Sequence, residues 1–480
     1  MRFSLLVLFT ALSACNMKMD KPNILFLFSD DHTTQAISAY GDWRINTPNL
    51  DKLVHEGLLF ENCFCTNSIC APSRAVVLTG KYSHLNGVRD NSQVFDGEQE
   101  TFPKLLQKAG YRTAIIGKWH LKSEPSGFDY WSVLPGQGKY FDPDFIEMGN
   151  RINKKGYVTE IITDDALLWL KTYNYEQPFC LMVQHKAPHA DWEWPEEYSD
   201  EFMDDFILPE NFEDNYAGRS PALKYSALKV DTFQWNYHYK YRFGAYPYDS
   251  REEMYQRYMH DYMRCIRAVD NSIGQLMEGL METGQYDNTI VIYSADQGFF
   301  LGEHGLYDKR FMYEEALRMP LIIKAGKQAK QSEVPTAKLV REGRKAGSRI
   351  KENSYKNLRI EEMVLNLDFG PTILDLAGVK IPQEMQGRSF APLIWGDKIP
   401  DWRESMYYHF YEQAYNIGEH EGIRTGKYKL IHFSYPEDAW ELYDIQNDPA
   451  EMNNLCNEPG MQSIIKDLQR EMDSLKMHYK

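Results

Sequence analysis

Four places in the chain set ionisable side chains directly behind a short apolar run. Asn23-Ile24-Leu25-Phe26-Leu27-Phe28 leads into Ser29-Asp30-Asp31-His32, and Thr113-Ala114-Ile115-Ile116 into Gly117-Lys118-Trp119-His120. Phe179-Cys180-Leu181-Met182-Val183 leads into Gln184-His185-Lys186-Ala187-Pro188-His189, and Thr289-Ile290-Val291-Ile292-Tyr293 into Ser294-Ala295-Asp296-Gln297-Gly298. Asp30, Asp31, Asp296 and Gln297 make an all-oxygen set, the ligand chemistry of a hard divalent cation, and calcium tolerates irregular geometry better than magnesium. Two adjacent aspartates behind a strand also suit a plain helix cap, but the matching pair on another strand end favours a metal. A fifth place is Cys70-Ala71-Pro72-Ser73-Arg74-Ala75-Val76-Val77-Leu78-Thr79-Gly80. Pro72 fits the first turn of a helix and Gly80 its end. Residue 70 then stands at a helix N-terminus, where free N–H groups and the dipole favour an anion. An ordinary capped helix behind a cysteine is the plainer reading of those residues.

These groups can act together only if the chain brings the run ends to one edge. The apolar runs are continuous rather than alternating, which predicts strands buried on both faces. Helical patterns lie between them, at Phe102 to Ala109, Ile162 to Thr172 and Met254 to Glu282. Strand–helix alternation predicts a doubly wound α/β domain, and such sheets bind ligands at the carboxyl ends of their strands. Met363 to Ala377 reads as a helix with Gly378 as its stop. Beyond it Glu404 to Tyr411, Gly422 to Phe433 and Trp440 to Asp444 read as antiparallel strands, and Met461 to Met477 as an amphipathic helix. The expected division is a catalytic domain over 21–378 and a smaller α+β domain over 379–480. Lys324 to Lys351 reads as a basic, solvated excursion, and the aromatic stretch 234–258 as either a cleft lining or a packed surface excursion.

Length and composition (480 residues, 43% hydrophobic, 25% charged) suit a large globular core. A net charge of −16 argues against nucleic acid as partner and gives no long-range attraction for a polyanion. Affinity for an anion therefore has to come from a few local cations. At the N-terminus Arg2 precedes an apolar run from Phe3 to Leu12, too short to span a bilayer, so a cleaved export signal over 1–15 is expected. Leu12-Ser13-Ala14-Cys15 resembles a bacterial lipobox, which implies lipidation at Cys15 and an exported periplasmic or outer-membrane lipoprotein, anchored by that lipid only; a plain secretory signal is the alternative. Seven cysteines lack the spacing of a disulfide framework or a zinc site.

Cys70-Ala71-Pro72-Ser73-Arg74 resembles the modification signature of type I sulfatases, and Gly110-Tyr111-Arg112-Thr113-Ala114-Ile115-Ile116-Gly117-Lys118-Trp119-His120 resembles their second signature. Asp30-Asp31 near the start and Asp296-Gln297 late match the family's metal pairs, and Gly302-Glu303-His304-Gly305-Leu306-Tyr307-Asp308-Lys309-Arg310 follows the second pair as it does in that family. The resemblance implies an alkaline-phosphatase-like fold, in which a doubly wound mixed sheet is sandwiched by helices and the C-terminal α+β part carries an antiparallel sheet. It implies calcium on Asp30, Asp31, Cys70, Asp296 and Gln297. It also implies that a sulfatase-maturing enzyme oxidises Cys70 to formylglycine, whose aldehyde hydrate is the nucleophile.

By the same resemblance Lys118 and Lys309 meet sulfate oxygens; the planar fork of Arg74 can hold an oxyanion or orient the nucleophile, and Asp296 is placed to accept a proton from the metal-activated hydrate. His189, preferred over His185 because the family's Pro-His ends this strand, protonates the leaving sugar oxygen. His120 takes the second hydroxyl proton so that sulfate leaves and the aldehyde reforms. His185 and Lys186 contact sugar or hold their loop. Leu134-Pro135-Gly136-Gln137-Gly138 with Tyr140-Phe141-Asp142-Pro143, His185 through His189, and Asp296 through Met319 resemble bacterial exo-acting N-acetylglucosamine-6-sulfatases. The expected reaction is thus removal of sulfate from a sulfated mono- or oligosaccharide, exo-acting on the 6-O-sulfate of N-acetylglucosamine. His409, Glu412, His420 and Arg424 are candidate sugar contacts, each equally suited to a structural role. Another carbohydrate sulfate (iduronate-2-sulfate or galactose-6-sulfate), a phosphonate or phosphate monoester, and glycan binding without catalysis are the competing readings. Retention of Asp30, Asp31, Cys70 and Asp296 weighs against the last, and a cysteine in place of serine or threonine weighs against a plain phosphatase.

Overall fold

The computed structural model describes residues 21–41, 44–232, 250–326 and 357–480. The expected export signal with Cys15, residues 233–249 of the aromatic stretch, and most of the basic stretch from Lys324 to Lys351 lie outside the described residues.

The four apolar runs become the strands Asn23–Ser29, Arg112–Lys118, Phe179–Gln184 and Thr289–Ala295. They lie side by side and parallel, in the order 289–295, 23–29, 179–184, 112–118. Every residue of 23–29, 179–184 and 289–295 is buried, so both faces of the sheet are covered; the unbroken apolar runs follow from that. One group of helices packs Val158–Thr172 and Pro48–Glu56 on Arg251–Glu282, and another packs Cys70–Thr79 with Phe102–Lys108 and Phe369–Leu376. Among the described residues no helix is long and apolar enough to cross a membrane.

The sheet continues outward to ten strands. On one side Leu321–Lys324 runs antiparallel to both neighbours, followed by Leu58–Phe60 and Leu358–Ile360; on the other lie Tyr130–Leu134 and the hairpin Asp144–Glu147 with Asn150–Asn153. None of these outer strands is foreseen in the sequence. They are short, and Asn150–Asn153 is exposed throughout, so neither a long apolar run nor clean alternation marks them.

A separate antiparallel sheet of four strands, Ser405–Phe410, His420–Thr425, Tyr428–Phe433 and Ala439–Asp444, carries the helix Gln462–His478. The expected strand Gly422 to Phe433 is therefore a hairpin that turns at Gly426-Lys427, where a glycine inside an extended run is a turn signal. The expected helix from Met363 starts only at Phe369. Val364–Leu365 instead pairs with Cys63–Phe64, and Asn366–Asp368 forms a single tight turn in which Asp368 accepts the Leu365 N–H at 2.9 Å.

Candidate active site

Sheet register puts the acids together. Ser29 pairs with Ala295, so Asp30 and Asp296 leave the sheet as neighbours. Asp31 adopts φ +63, and its N–H donates to Asp296 Oδ1 at 3.1 Å while Tyr262 Oη donates to its carbonyl at 2.7 Å. One carboxylate oxygen from each of Asp30, Asp31 and Asp296 falls within 4.8 Å of the others, all buried.

The same register places Lys118. Phe28 pairs with Gln184 and Gln184 with Gly117, which sets Lys118 on the same edge. Gly117 has φ +110, and a Cβ there would lie 1.9 Å from the Gln184 carbonyl oxygen, so only glycine lets these strand ends close. Lys118 Nζ reaches Asp30 Oδ2 and Gln137 Oε1, the latter at 2.5 Å. Lys309 Nζ sits 2.5 and 2.6 Å from the two oxygens of Asp31.

The helix Cys70–Thr79 enters with its N-terminus on this group and ends at Gly80 in the left-handed conformation, φ +61. Cys70 Sγ lies 3.5 Å from Asp30 Oδ1. Asn91 Oδ1 accepts the Ala71 N–H at 3.1 Å, leaving residue 70 at the tip. One turn on, Arg74 donates from Nε and Nη2 to Asp296 Oδ2 at 3.2 and 3.0 Å, and from Nη1 to the Lys118 carbonyl at 3.1 Å and Gln184 Oε1 at 2.5 Å. Ser73 Oγ donates to the Asp296 carbonyl and accepts from Asn366 Nδ2 at 2.9 Å.

His189 Nδ1 lies 2.6 Å from the Ala190 carbonyl, which makes Nδ1 the donor and leaves Nε2 toward the acids, 3.8 Å from Asp31 Oδ2. His120 has φ +58, and its buried Nδ1 has no partner among the described residues. Burial, then the cations Lys118 and Arg74 for His120 and Lys118 and Lys309 for His189, pull both imidazoles down and so favour their neutral forms. Burial pushes the Cys70 thiol up to about 12, so the unmodified side chain is a thiol rather than a nucleophilic thiolate.

The acids fit a hard cation. Burial raises Asp31 to about 6 against the pull of Lys309, and Asp296 and Asp308 push it further up; crowded carboxylates of this kind are relieved by a divalent ion. Gln297 Oε1 is buried with no hydrogen-bond donor among the described residues, which suits an amide oxygen kept for a metal.

Two expected sugar contacts do not reach this cluster. His420 is buried among the rings of Phe410, Phe433 and Tyr408, with Nδ1 on the Gly418 carbonyl at 2.9 Å. Arg424 forks onto Glu314 at 3.1 Å from both Nε and Nη2 and stacks over Phe64. Arg424 is thus engaged in an ion pair, while the buried Nε2 of His420 has no hydrogen-bond partner among the described residues. His409 stacks on Tyr411 and bonds Glu419 at 2.8 Å, and Glu412 faces Arg310 at 3.7 Å. His185 turns away to Ser272 Oγ at 3.1 Å, and Lys186 holds its own loop through the Ala190 carbonyl at 3.0 Å. Gln184, Asn91, Asn366 and Gln137 are given no role in the sequence; Gln184, at a strand end, and Gln137, inside the tract 134–138, stand where a pattern could have flagged them.

Such a sheet edge, with carboxylates, lysines and an arginine around a helix-borne cysteine, defines a hydrolase of anionic esters on an alkaline-phosphatase-like scaffold. The family described as Sulfatase matches residues 22–379, and the one described as N-sulphoglucosamine sulphohydrolase, C-terminal, matches residues 348–478. An N-acetylglucosamine-6-O-sulfatase of Bacteroides thetaiotaomicron is 41% identical over 96% of this chain and 87% of its own length. A solved structure of a protein in complex with its substrate D-glucosamine-2-N,6-O-disulfate superposes with a TM-score of 0.85 at 40% identity, covering 96% of this chain and 98% of that one. A phosphonate monoester hydrolase of Agrobacterium radiobacter shares the fold at a TM-score of 0.73 and 19% identity, over 96% of both chains. The chain belongs to the sulfatase family.

Proposed function

We propose that this protein is a sulfuric ester hydrolase that removes the 6-O-sulfate from a terminal N-acetylglucosamine of a sulfated glycan. The observation that carries this is the seat of residue 70, 3.5 Å from Asp30 at a helix N-terminus, between the acids and the cations Lys118, Lys309 and Arg74. The Bacteroides relative, matched along nearly the whole chain, supports the choice of sugar.

Asp30, Asp31, Asp296 and Gln297 would hold calcium beside residue 70, and the ion would supply charge stabilisation to a sulfate oxygen and to the attacking oxygen. Formylglycine at residue 70 would supply that attacking oxygen from its aldehyde hydrate, so a maturing enzyme acting on Cys70 is part of the reading. Lys118, Lys309 and Arg74 bind and orient the anion; the fork of Arg74 is fixed by Asp296 and Gln184 before substrate arrives, so little reorganisation accompanies reaction. A bound sulfate ester offsets the lysines around His189, which lets Nε2 carry the proton given to the departing sugar oxygen. His120, neutral and with an unengaged Nδ1, takes the proton whose removal frees sulfate. Residues 1–15 would direct export and Cys15 would carry the lipid anchor, ahead of a catalytic domain over 21–378 and a C-terminal part over 379–480.

Sulfate release by protein carrying formylglycine at residue 70, checked by peptide mass, tests the reading. The substrates are N-acetylglucosamine-6-sulfate, N-acetylglucosamine-3-sulfate, galactose-6-sulfate and a 2-sulfated uronic acid disaccharide. Turnover of the first alone supports both chemistry and position. Turnover of another keeps the sulfatase and discards the sugar, and silence on all four favours phosphonate esters or glycan binding. Cys70→Ala abolishes turnover while leaving the thermal transition in place.

A further inference from the structure

Between the sulfate-binding cations and the C-terminal sheet runs an unbroken line of charges. Asp31 meets Lys309 at 2.5 Å, Lys309 meets Asp308 at 3.8 Å, Asp308 meets Arg310 at 2.8 Å, and Arg310 meets Glu412 at 3.7 Å. Glu412 lies just past the strand Ser405–Phe410, so the smaller domain delivers this carboxylate to the catalytic side. Arg310, 7% exposed, is fixed by Asp308 and by the Tyr415 ring 4.6 Å away. Glu412 keeps 21% of its side chain exposed, and its Oε2 accepts no hydrogen bond from the described residues. Asp90 faces the same carboxylate, and its neighbour Asn91 holds the tip of the nucleophile helix. Because Asp308 is buried and already bound by Arg310 and the Lys309 N–H, this rim sets the carboxylates of Asp90 and Glu412 against Arg310 and a Lys309 already paired with Asp31. It is an acceptor surface for hydroxyl groups and repels a further anion.

We infer that Glu412, positioned by Arg310, is a specificity residue that accepts a hydrogen bond from the 4-hydroxyl of the sugar whose 6-sulfate occupies the pocket. The inference rests on the 6-O-sulfoglucosamine reading above. In that sugar the hydroxyl on C4 is the one nearest the C6 substituent, and Glu412 is joined to the sulfate-binding Lys309 through Asp308 and Arg310. A free 4-hydroxyl exists only on a terminal residue of a 1→4-linked chain; once C4 is linked, the oxygen has no proton to give and the Glu412 oxygen is left buried without a donor. An unpaired buried acceptor of this kind discriminates strongly. The smaller domain would thereby confine action to chain ends.

The test compares wild type, Glu412→Ala and Glu412→Gln, each carrying formylglycine, on N-acetylglucosamine-6-sulfate, its 4-O-methyl ether and 4-nitrophenyl sulfate. Wild type should prefer the free 4-hydroxyl over the ether by about tenfold or more in kcat/KM. Glu412→Ala should narrow that preference to less than about twofold, because neither the contact to the parent sugar nor the unpaired acceptor against the ether remains, and should change the aryl sulfate by less than about twofold. Glu412→Gln, keeping the shape without the charge, should fall between. Equal losses on all three substrates, or no preference in wild type, would overturn the inference, since the carboxylate would then act on the sulfate pocket or on nothing. If wild type fails on N-acetylglucosamine-6-sulfate but turns over the aryl ester, the sugar reading itself has failed and this assignment falls with it.

Discussion

Arg74 and Asp296 are joined through two arms of one guanidinium: Nε and Nη2 lie 3.2 and 3.0 Å from the same carboxylate oxygen, Oδ2. The third arm, Nη1, reaches two further strand ends through Gln184 Oε1 and the Lys118 carbonyl. One side chain therefore ties the nucleophile helix to three strands of the sheet. Asp296 stays oriented toward Asp31, whose N–H it accepts at 3.1 Å through Oδ1.

Arg74→Ala should accordingly lower kcat/KM by about a hundredfold or more, the scale of losing a preorganised charged donor. Arg74→Lys should recover little of it, because an ammonium cannot serve Asp296 and Gln184 together. Steady-state kinetics on the formylglycine enzyme decide this, and recovery of wild-type rates by lysine would show that charge alone matters.

Calcium should stabilise the fold as well as support turnover. A ligand that binds only the native state at about a hundred times its Kd adds about 2.7 kcal/mol, so the thermal midpoint should rise by several degrees on adding calcium to chelated protein. Asp31→Asn, which removes one charge from the acidic cradle, should abolish most of the rise. A midpoint indifferent to calcium in both proteins contradicts the metal assignment.

His189→Ala should depend on the leaving group. Proton donation contributes about 10²–10⁴-fold when the departing oxygen is strongly basic, as in a sugar alcohol, and much less for a nitrophenolate. The loss on N-acetylglucosamine-6-sulfate should thus exceed the loss on 4-nitrophenyl sulfate by at least about tenfold. Equal losses would assign His189 to sulfate binding instead.

The contact between Glu314 and the four-stranded sheet should show its own pH dependence. Burial would raise Glu314, but Arg424, Lys429 and Arg318 overcome it and hold the carboxyl well below its ordinary 4.5. A depressed acid contributes stability above the unfolded value and loses it as pH falls toward the folded one. Arg424→Ala should cost about 1.5–3 kcal/mol at pH 7, the scale of losing charged hydrogen bonds, because Lys429 and Arg318 still pair with Glu314. The difference from wild type should shrink as the pH falls below about 4.5 toward the depressed folded value. Urea unfolding at several pH values measures it; a difference constant from neutral to acid pH would rule the mechanism out.

The chemistry of this protein is local in sequence. Asp30-Asp31, Lys118, His189 and Asp296-Gln297 each follow a continuous apolar run, and a parallel sheet delivers strand ends to one edge. The residue types, the buried strands, the helix from Cys70 to Thr79 and its stop at Gly80 were therefore readable before any fold was known. Short outer strands such as Asn150–Asn153 were not, because pairing partners rather than their own composition make them strands. Tertiary structure alone decided that His185 turns to Ser272, that Arg424 forks onto Glu314, and that Asn366, from the far side of the chain, supports Ser73. Those outcomes depend on sheet register and on contacts across hundreds of positions, which no short pattern encodes. What a side chain can do is written in its type and in the strand it ends; what it touches is settled only when distant segments pack.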